Sequence, residues 1–91
     1  IKVQIMIKET ENFRKKLLFR SSHRGTKEMD IILGTYAKEK LPNMDDKELI
    51  KFQEFLNLSD PDLYKWIMSG DTSYSEDHKE IIEDIISSKN T

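Results

Sequence analysis

Apolar residues in this chain recur at helical spacing in five short runs, each bounded by a residue that stops or caps a helix. The clearest run is Met29, Ile32, Leu33, Tyr36 and Ala37, at i, i+3, i+4, i+7 and i+8. It predicts a helix over 26–40. Pro42 ends it, because a residue before proline is pushed out of the α region. Gly34 lies inside this helix at a cost of about 1 kcal/mol against alanine, so it is expected to mark a close helix contact. Phe13, Leu17 and Leu18, widened by Phe19, predict a first helix over 11–23. A third is expected over 46–57, with Asp45 as cap and Glu48 three residues on, an acidic variant of the capping box. Leu49, Phe52, Phe55 and Leu56 are its inner face. A fourth is expected over 61–69, with Asp60 as cap, Pro61 in the first position and Gly70 just past the end. Ile81, Ile82, Ile85 and Ile86 predict a fifth over 76–88.

Five helices with short connections, and no run of strand-like alternation strong enough to count, give an all-α fold: a small five-helix bundle. Most of these helices are too short to persist alone, so they must share one core. The expected core is Phe13, Leu17, Met29, Ile32, Leu33, Tyr36, Leu49, Phe52, Leu56, Leu63, Trp66, Ile67, Ile82 and Ile85. At 91 residues the chain holds a single domain, placed at 11–89. Residues 1–10 are expected to be a flexible N-terminal extension. The start, Ile1 to Ile7, reads as a short extended piece, a leader or an added remnant, with Met6 a plausible native start.

Composition removes several kinds of chemistry. With no cysteine there is no disulfide, thiolate nucleophile or iron–sulfur ligation, and a reducing compartment fits. No stretch approaches the ~20 apolar residues that span a bilayer. The two histidines, His23 and His78, fall on different elements, and His78 reads as a surface residue. Gly25, Gly34 and Gly70 are too far apart to form a phosphate loop. Glu28 and Asp30, two apart on a helix, point to different sides. Nothing is positioned for catalysis, and the expectation is a protein that is not an enzyme, with no metal and no stably held cofactor.

Charge is uneven. Residues 1–40 carry a net +5 and residues 41–91 a net −7, so the molecule has a basic end. No acid occurs between Asn12 and Lys27, and Arg14, Lys15, Lys16, Arg20 and Arg24 fall in that stretch. A basic helix before a tight turn raises an alternative: a small regulatory protein binding nucleic acid through the first helix. Against it, the second helix is an apolar core helix, not an exposed recognition helix, and the pI is about 5.7.

The turn itself, Ser22-His23-Arg24-Gly25-Thr26-Lys27-Glu28-Met29-Asp30, sets a glycine, an arginine and two acids on one corner. With Gly25 or Thr26 as cap, Glu28 falls in the first turn, where the helix dipole favours it and its carboxylate can reach a free backbone N–H. Arg24-Gly25-Thr26-Lys27-Glu28-Met29-Asp30 resembles the Arg-Gly-x-x-Glu-(Leu/Met)-Asp signature of the succinate dehydrogenase assembly factors that promote flavinylation. Asp60-Pro61-Asp62-Leu63-Tyr64-Lys65-Trp66-Ile67-Met68 resembles the second signature of that family. His23 departs from it, standing where many relatives have arginine.

The resemblance, over about residues 13–88, implies a small helical bundle of the bacterial cytoplasm or mitochondrial matrix, expected to be a monomer when free. It implies binding to the flavoprotein subunit of succinate dehydrogenase, or of the related fumarate reductase. There the factor assists covalent attachment of FAD to a histidine, through the flavin's own 8α reactivity. The positions it implies for partner binding are Arg24, Gly25, Glu28 and Asp30, flanked by Arg20 and His23. Arg24 is expected to pair with the partner, Gly25 to let the partner's backbone approach, and Glu28 and Asp30 either to meet partner cations or to hold Arg24. On this view a Gly25→Arg variant folds but does not dock. The second signature is expected to be mostly cap and core.

Overall fold

A computed structural model describes residues 2–89, with side chains from residue 9 onward. Five helices follow one another: α1 (Lys2–Ser22), α2 (Lys27–Lys40), α3 (Asp46–Leu56), α4 (Asp60–Ile67) and α5 (Glu76–Lys89), with a single 3-10 turn at Leu41–Asn43. There is no strand among the described residues. The five expected helices are therefore present. The first is longer than its apolar stripe: it begins at Lys2, so the segment expected to be a loose extension continues it as helix.

Local chemistry explains most of the boundaries. Asp45 accepts from the Glu48 amide at 2.9 Å while the Glu48 side chain accepts from the Asp45 amide at 3.1 Å, a complete capping box. At α4 the expectation is corrected. Ser59, not Asp60, is the cap, its hydroxyl accepting from the Asp62 amide at 3.3 Å. Asp60 is thereby the first helical residue, and its carboxylate is drawn elsewhere. Past α4 the chain turns at Gly70 with φ +77, a conformation glycine takes without penalty, and the Asp71 amide donates to the Lys65 carbonyl.

All five helices contribute to one core. Leu17, Met29, Leu33, Leu49, Phe52, Leu56, Leu63, Ile82 and Ile85 are fully or nearly fully buried, with Tyr36, Trp66 and Ile67 close behind. Phe55, from the expected inner face of α3, Ala37, from the apolar stripe of α2, and Leu41 join them, while Phe13 and Ile32 are only partly buried against its edge. Leu41 is covered because the 3-10 turn folds it back, and Arg14 secures that turn with Nε on the Leu41 carbonyl (3.0 Å) and a second nitrogen on the Met44 carbonyl (2.9 Å). Phe19 does not extend the inner stripe. It is 62% exposed.

Gly34 does mark a close contact between α1 and α2. A Cβ placed there would lie 2.8 Å from the Ser22 hydroxyl oxygen but 3.5 Å from the Ser22 Cβ. Gly34→Ala alone is therefore expected to be less stable than Gly34→Ala combined with Ser22→Ala. The double variant removes the clash and keeps alanine's helix advantage of up to about 1 kcal/mol. Urea midpoints of the three proteins test this.

Tyr36 ties α2 to α5, its hydroxyl donating to Asp84 Oδ2 at 2.6 Å. Burial, this hydrogen bond and the nearby Asp84, Glu48 and Glu80 carboxylates push the phenol far above its ordinary value. A pKa raised on folding means the native state holds the proton more tightly. The contribution is fully present below about pH 10 and declines as pH rises beyond it. Stability of the wild type should fall more steeply above pH 10 than that of Tyr36→Phe, which denaturation at pH 9 to 11 will show.

Candidate functional site

The two signature segments, separated by some thirty residues, meet at one guanidinium. Arg24 Nε donates to Asp60 Oδ1 at 2.9 Å, and its two terminal nitrogens donate to the Leu56 and Leu58 carbonyls, the latter at 2.6 Å. The arginine side chain is 11% exposed and the aspartate 18%. Leu56 ends α3, so the cation also sits where a helix leaves unpaired carbonyls and a negative dipole end. The Arg24 amide donates to Asp30 Oδ1. One turn earlier Arg20 donates to Asn57 Oδ1 at 2.7 Å. Arg20 and Arg24 thus clamp the end of α1 to the α3–α4 connection.

This assigns several expected site residues to the fold itself. Three of the five N–H groups of the Arg24 guanidinium are used internally, and the side chain is only 11% exposed, so most of its donor capacity serves the fold. Asp30 takes the second of its two expected roles and holds the Arg24 backbone. With Arg14 capping the 3-10 turn, much of the basic face of α1 is engaged within the domain; Lys15 and Lys16 stay exposed.

Gly25 sits at the apex with φ +116 and is exposed. A Cβ would meet only Asp60 Oδ2, at 3.6 Å, so space within the chain does not demand glycine. The backbone angle does, and a side chain there costs about 1–3 kcal/mol of strain. Gly25→Arg is consequently not a clean docking variant, because it strains the corner as well as covering it.

Thr26 caps α2, its hydroxyl accepting from the Met29 amide at 3.4 Å. Glu28 is then one position too early to complete a capping box. Among the described residues it has no hydrogen bond or ion pair, and it is exposed. Between α2 and α4 a depression of about 340 Å³ is lined by Thr26, Glu28, Met29, Asp60, Pro61 and Tyr64. Tyr64 is 44% exposed. On the other flank of the corner, His23 stacks on Phe19 with ring centroids 4.0 Å apart, its Nδ1 2.8 Å from the Phe19 carbonyl.

Sequence reasoning found the corner but missed Asp60 as the partner of Arg24, and Pro61 and Tyr64 as one wall of the depression. Their spacing held a signal. Pro61, Tyr64 and Met68 fall at i, i+3 and i+7, and they are the exposed residues between the inward Leu63, Trp66 and Ile67. Among the described residues no three His, Asp or Glu side chains converge as a metal ion would need, and no helix is long and apolar enough to cross a membrane.

Residues 15–89, which contain both meeting segments, match the model of the Sdh5 family, described as flavinator of succinate dehydrogenase. The chain belongs to this family. Among similar members of the Sdh5 family is the mitochondrial succinate dehydrogenase assembly factor 2 of Dictyostelium discoideum, 37% identical over 68 residues, 75% of this chain and 48% of that one. The protein of the same name from Arabidopsis thaliana is 38% identical over 66 residues, 69% of this chain and 35% of that one. The FAD assembly factor SdhE of Acetobacter pasteurianus is 37% identical over 54 residues, 59% of this chain and 50% of that one. The chain spans half or less of the length of these relatives. As an Sdh5-family domain it carries the whole Arg24–Asp60 junction inside the matched region.

Proposed function

We propose that this protein binds the flavoprotein subunit of succinate dehydrogenase, or of fumarate reductase, and promotes covalent attachment of FAD to it. It acts as a chaperone and not as a catalyst: the flavin's own reactivity forms the bond, and the factor holds the client in the state in which it forms. It works as a monomer in the bacterial cytoplasm or mitochondrial matrix and retains no cofactor of its own. The docking surface is the corner from His23 to Asp30. Gly25 and Glu28 face outward there, Asp30, Arg24 and Arg20 hold the corner in shape, and His23 lies beside it.

The observation that carries this reading is the division of roles at the corner. A half-buried clamp of Arg24 and Asp60 supports an exposed glycine apex and an unpaired Glu28 carboxylate. Rigid support beneath an exposed polar group is the arrangement a docking surface needs, because less freedom is lost on binding.

Mixing the protein with an FAD-free flavoprotein subunit and free FAD, then reading covalent flavin fluorescence in a denaturing gel, tests the function. The wild type should raise the yield of the fluorescent band. Glu28→Ala should lower affinity for the subunit by about tenfold or more while leaving the unfolding midpoint unchanged, as expected when an exposed interface charge is removed. No gain in covalent flavin with the wild type would overturn the proposal.

A further inference from the structure

The depression between α2 and α4 combines an apolar interior with an unsatisfied anion at its mouth. Its floor is Met29, which is fully buried, and Pro61 and Tyr64 form one wall. Two carboxylates border it. Asp60 is paired with Arg24, and Glu28 is paired with nothing among the described residues. No lysine or arginine lines it. The Tyr64 ring is exposed along part of its surface. A guest that suits these walls carries positive charge on a flat, weakly hydrated group. It can then pair with the carboxylate and lie against the aromatic ring. A guanidinium does both, whereas an ammonium is a compact, strongly hydrated charge. At about 340 Å³ the space is at the small end of ligand-sized cavities and has room for one long side chain.

We infer that this depression receives an arginine side chain projecting from the flavoprotein client, paired with Glu28 and stacked on Tyr64. The inference rests on the docking role proposed above and extends it to the second signature segment. The Arg24–Asp60 junction fixes the start of α4, and so sets the Pro61–Tyr64 wall opposite Glu28.

Binding of the FAD-free flavoprotein subunit to five proteins tests it: wild type, Glu28→Gln, Tyr64→Ala, Tyr64→Phe and the Glu28→Gln/Tyr64→Ala double variant. The exchanged side chains are exposed, so unfolding midpoints should agree and changes in affinity report contact. Glu28→Gln and Tyr64→Ala are each expected to weaken binding about 10- to 100-fold, the scale of an interface hot spot, with Tyr64→Phe within about twofold of wild type. Because both residues touch one guest, the double variant should lose less than the product of the single losses. Among arginine-to-alanine variants of the client, one should show no further loss when combined with Glu28→Gln. Wild-type affinity in Tyr64→Ala, or a strictly multiplicative double variant, would overturn the arginine site and leave the docking role standing. Failure of the wild-type chain to bind the subunit at all would bring down both.

Discussion

Arg24→Ala loses about 3 kcal/mol of stability, a large share of the about 5–15 kcal/mol that holds a small domain together. The substitution removes one side chain and leaves three groups without a partner: the Asp60 carboxylate and the Leu56 and Leu58 carbonyls. The carboxylate is 18% exposed, so water only partly replaces the lost cation. Arg24→Lys should recover less than half of the loss. An ammonium group can neutralise Asp60 but cannot also reach two carbonyls in the fork geometry of a guanidinium. Asp60→Asn should cost less than Arg24→Ala, because the carbonyls keep their donors. The two changes together should cost less than the sum of each alone. Urea unfolding followed by circular dichroism gives all four values. An Arg24→Ala protein as stable as wild type would refute the clamp. The prediction also alters how a loss of flavoprotein binding in an Arg24 variant is interpreted: a corner that has lost its support stops binding without Arg24 having touched the partner.

Trp66→Ala is expected to cost about 3–5 kcal/mol, the usual range for deleting a buried aromatic side chain. Trp66 is 8% exposed and seals the core beneath the loop that leads from α4 into α5. Its Nε1 donates to the Ser73 hydroxyl at 3.1 Å, and its ring meets Tyr74 edge to face with centroids 6.2 Å apart. The same deletion therefore loosens the loop as well as opening a cavity. Trp66→Phe keeps most of the apolar volume but loses the hydrogen bond, and should cost markedly less. Phe52 and Phe55 are fully buried without a polar tether, so their alanine variants should lose stability without the added loop effect. Backbone amide exchange separates the cases: Trp66→Ala should speed exchange at residues 71–75 more than Phe52→Ala does at equal stability.

The Arg24 corner shows where reading the residues in order stopped being enough. The glycine, the two acids and the arginine were all visible, and so was their place at a helix junction. The cap of α2 stayed open between Gly25 and Thr26; Thr26 takes it, which puts Glu28 one place short of the capping position and leaves its carboxylate free. What was not visible is that Arg24 turns inward to Asp60, which lies 36 residues further along. Either acid flanking the corner was a nearer partner in sequence. Phe19 makes the same point for apolar residues. It stands at the edge of the stripe, is 62% exposed and stacks on His23 at the surface.

Local chemistry alone determined that this chain forms short helices, where most of them end and which faces they bury. Those properties depend on neighbours within about four residues, through hydrogen-bonded turns, caps and the 3.6-residue repeat. Only the tertiary structure decided which ion pair forms, which carboxylate stays unpaired and which wall stands opposite it. Those depend on closing a long loop between α1 and α4, whose geometry follows from how all five helices share one core.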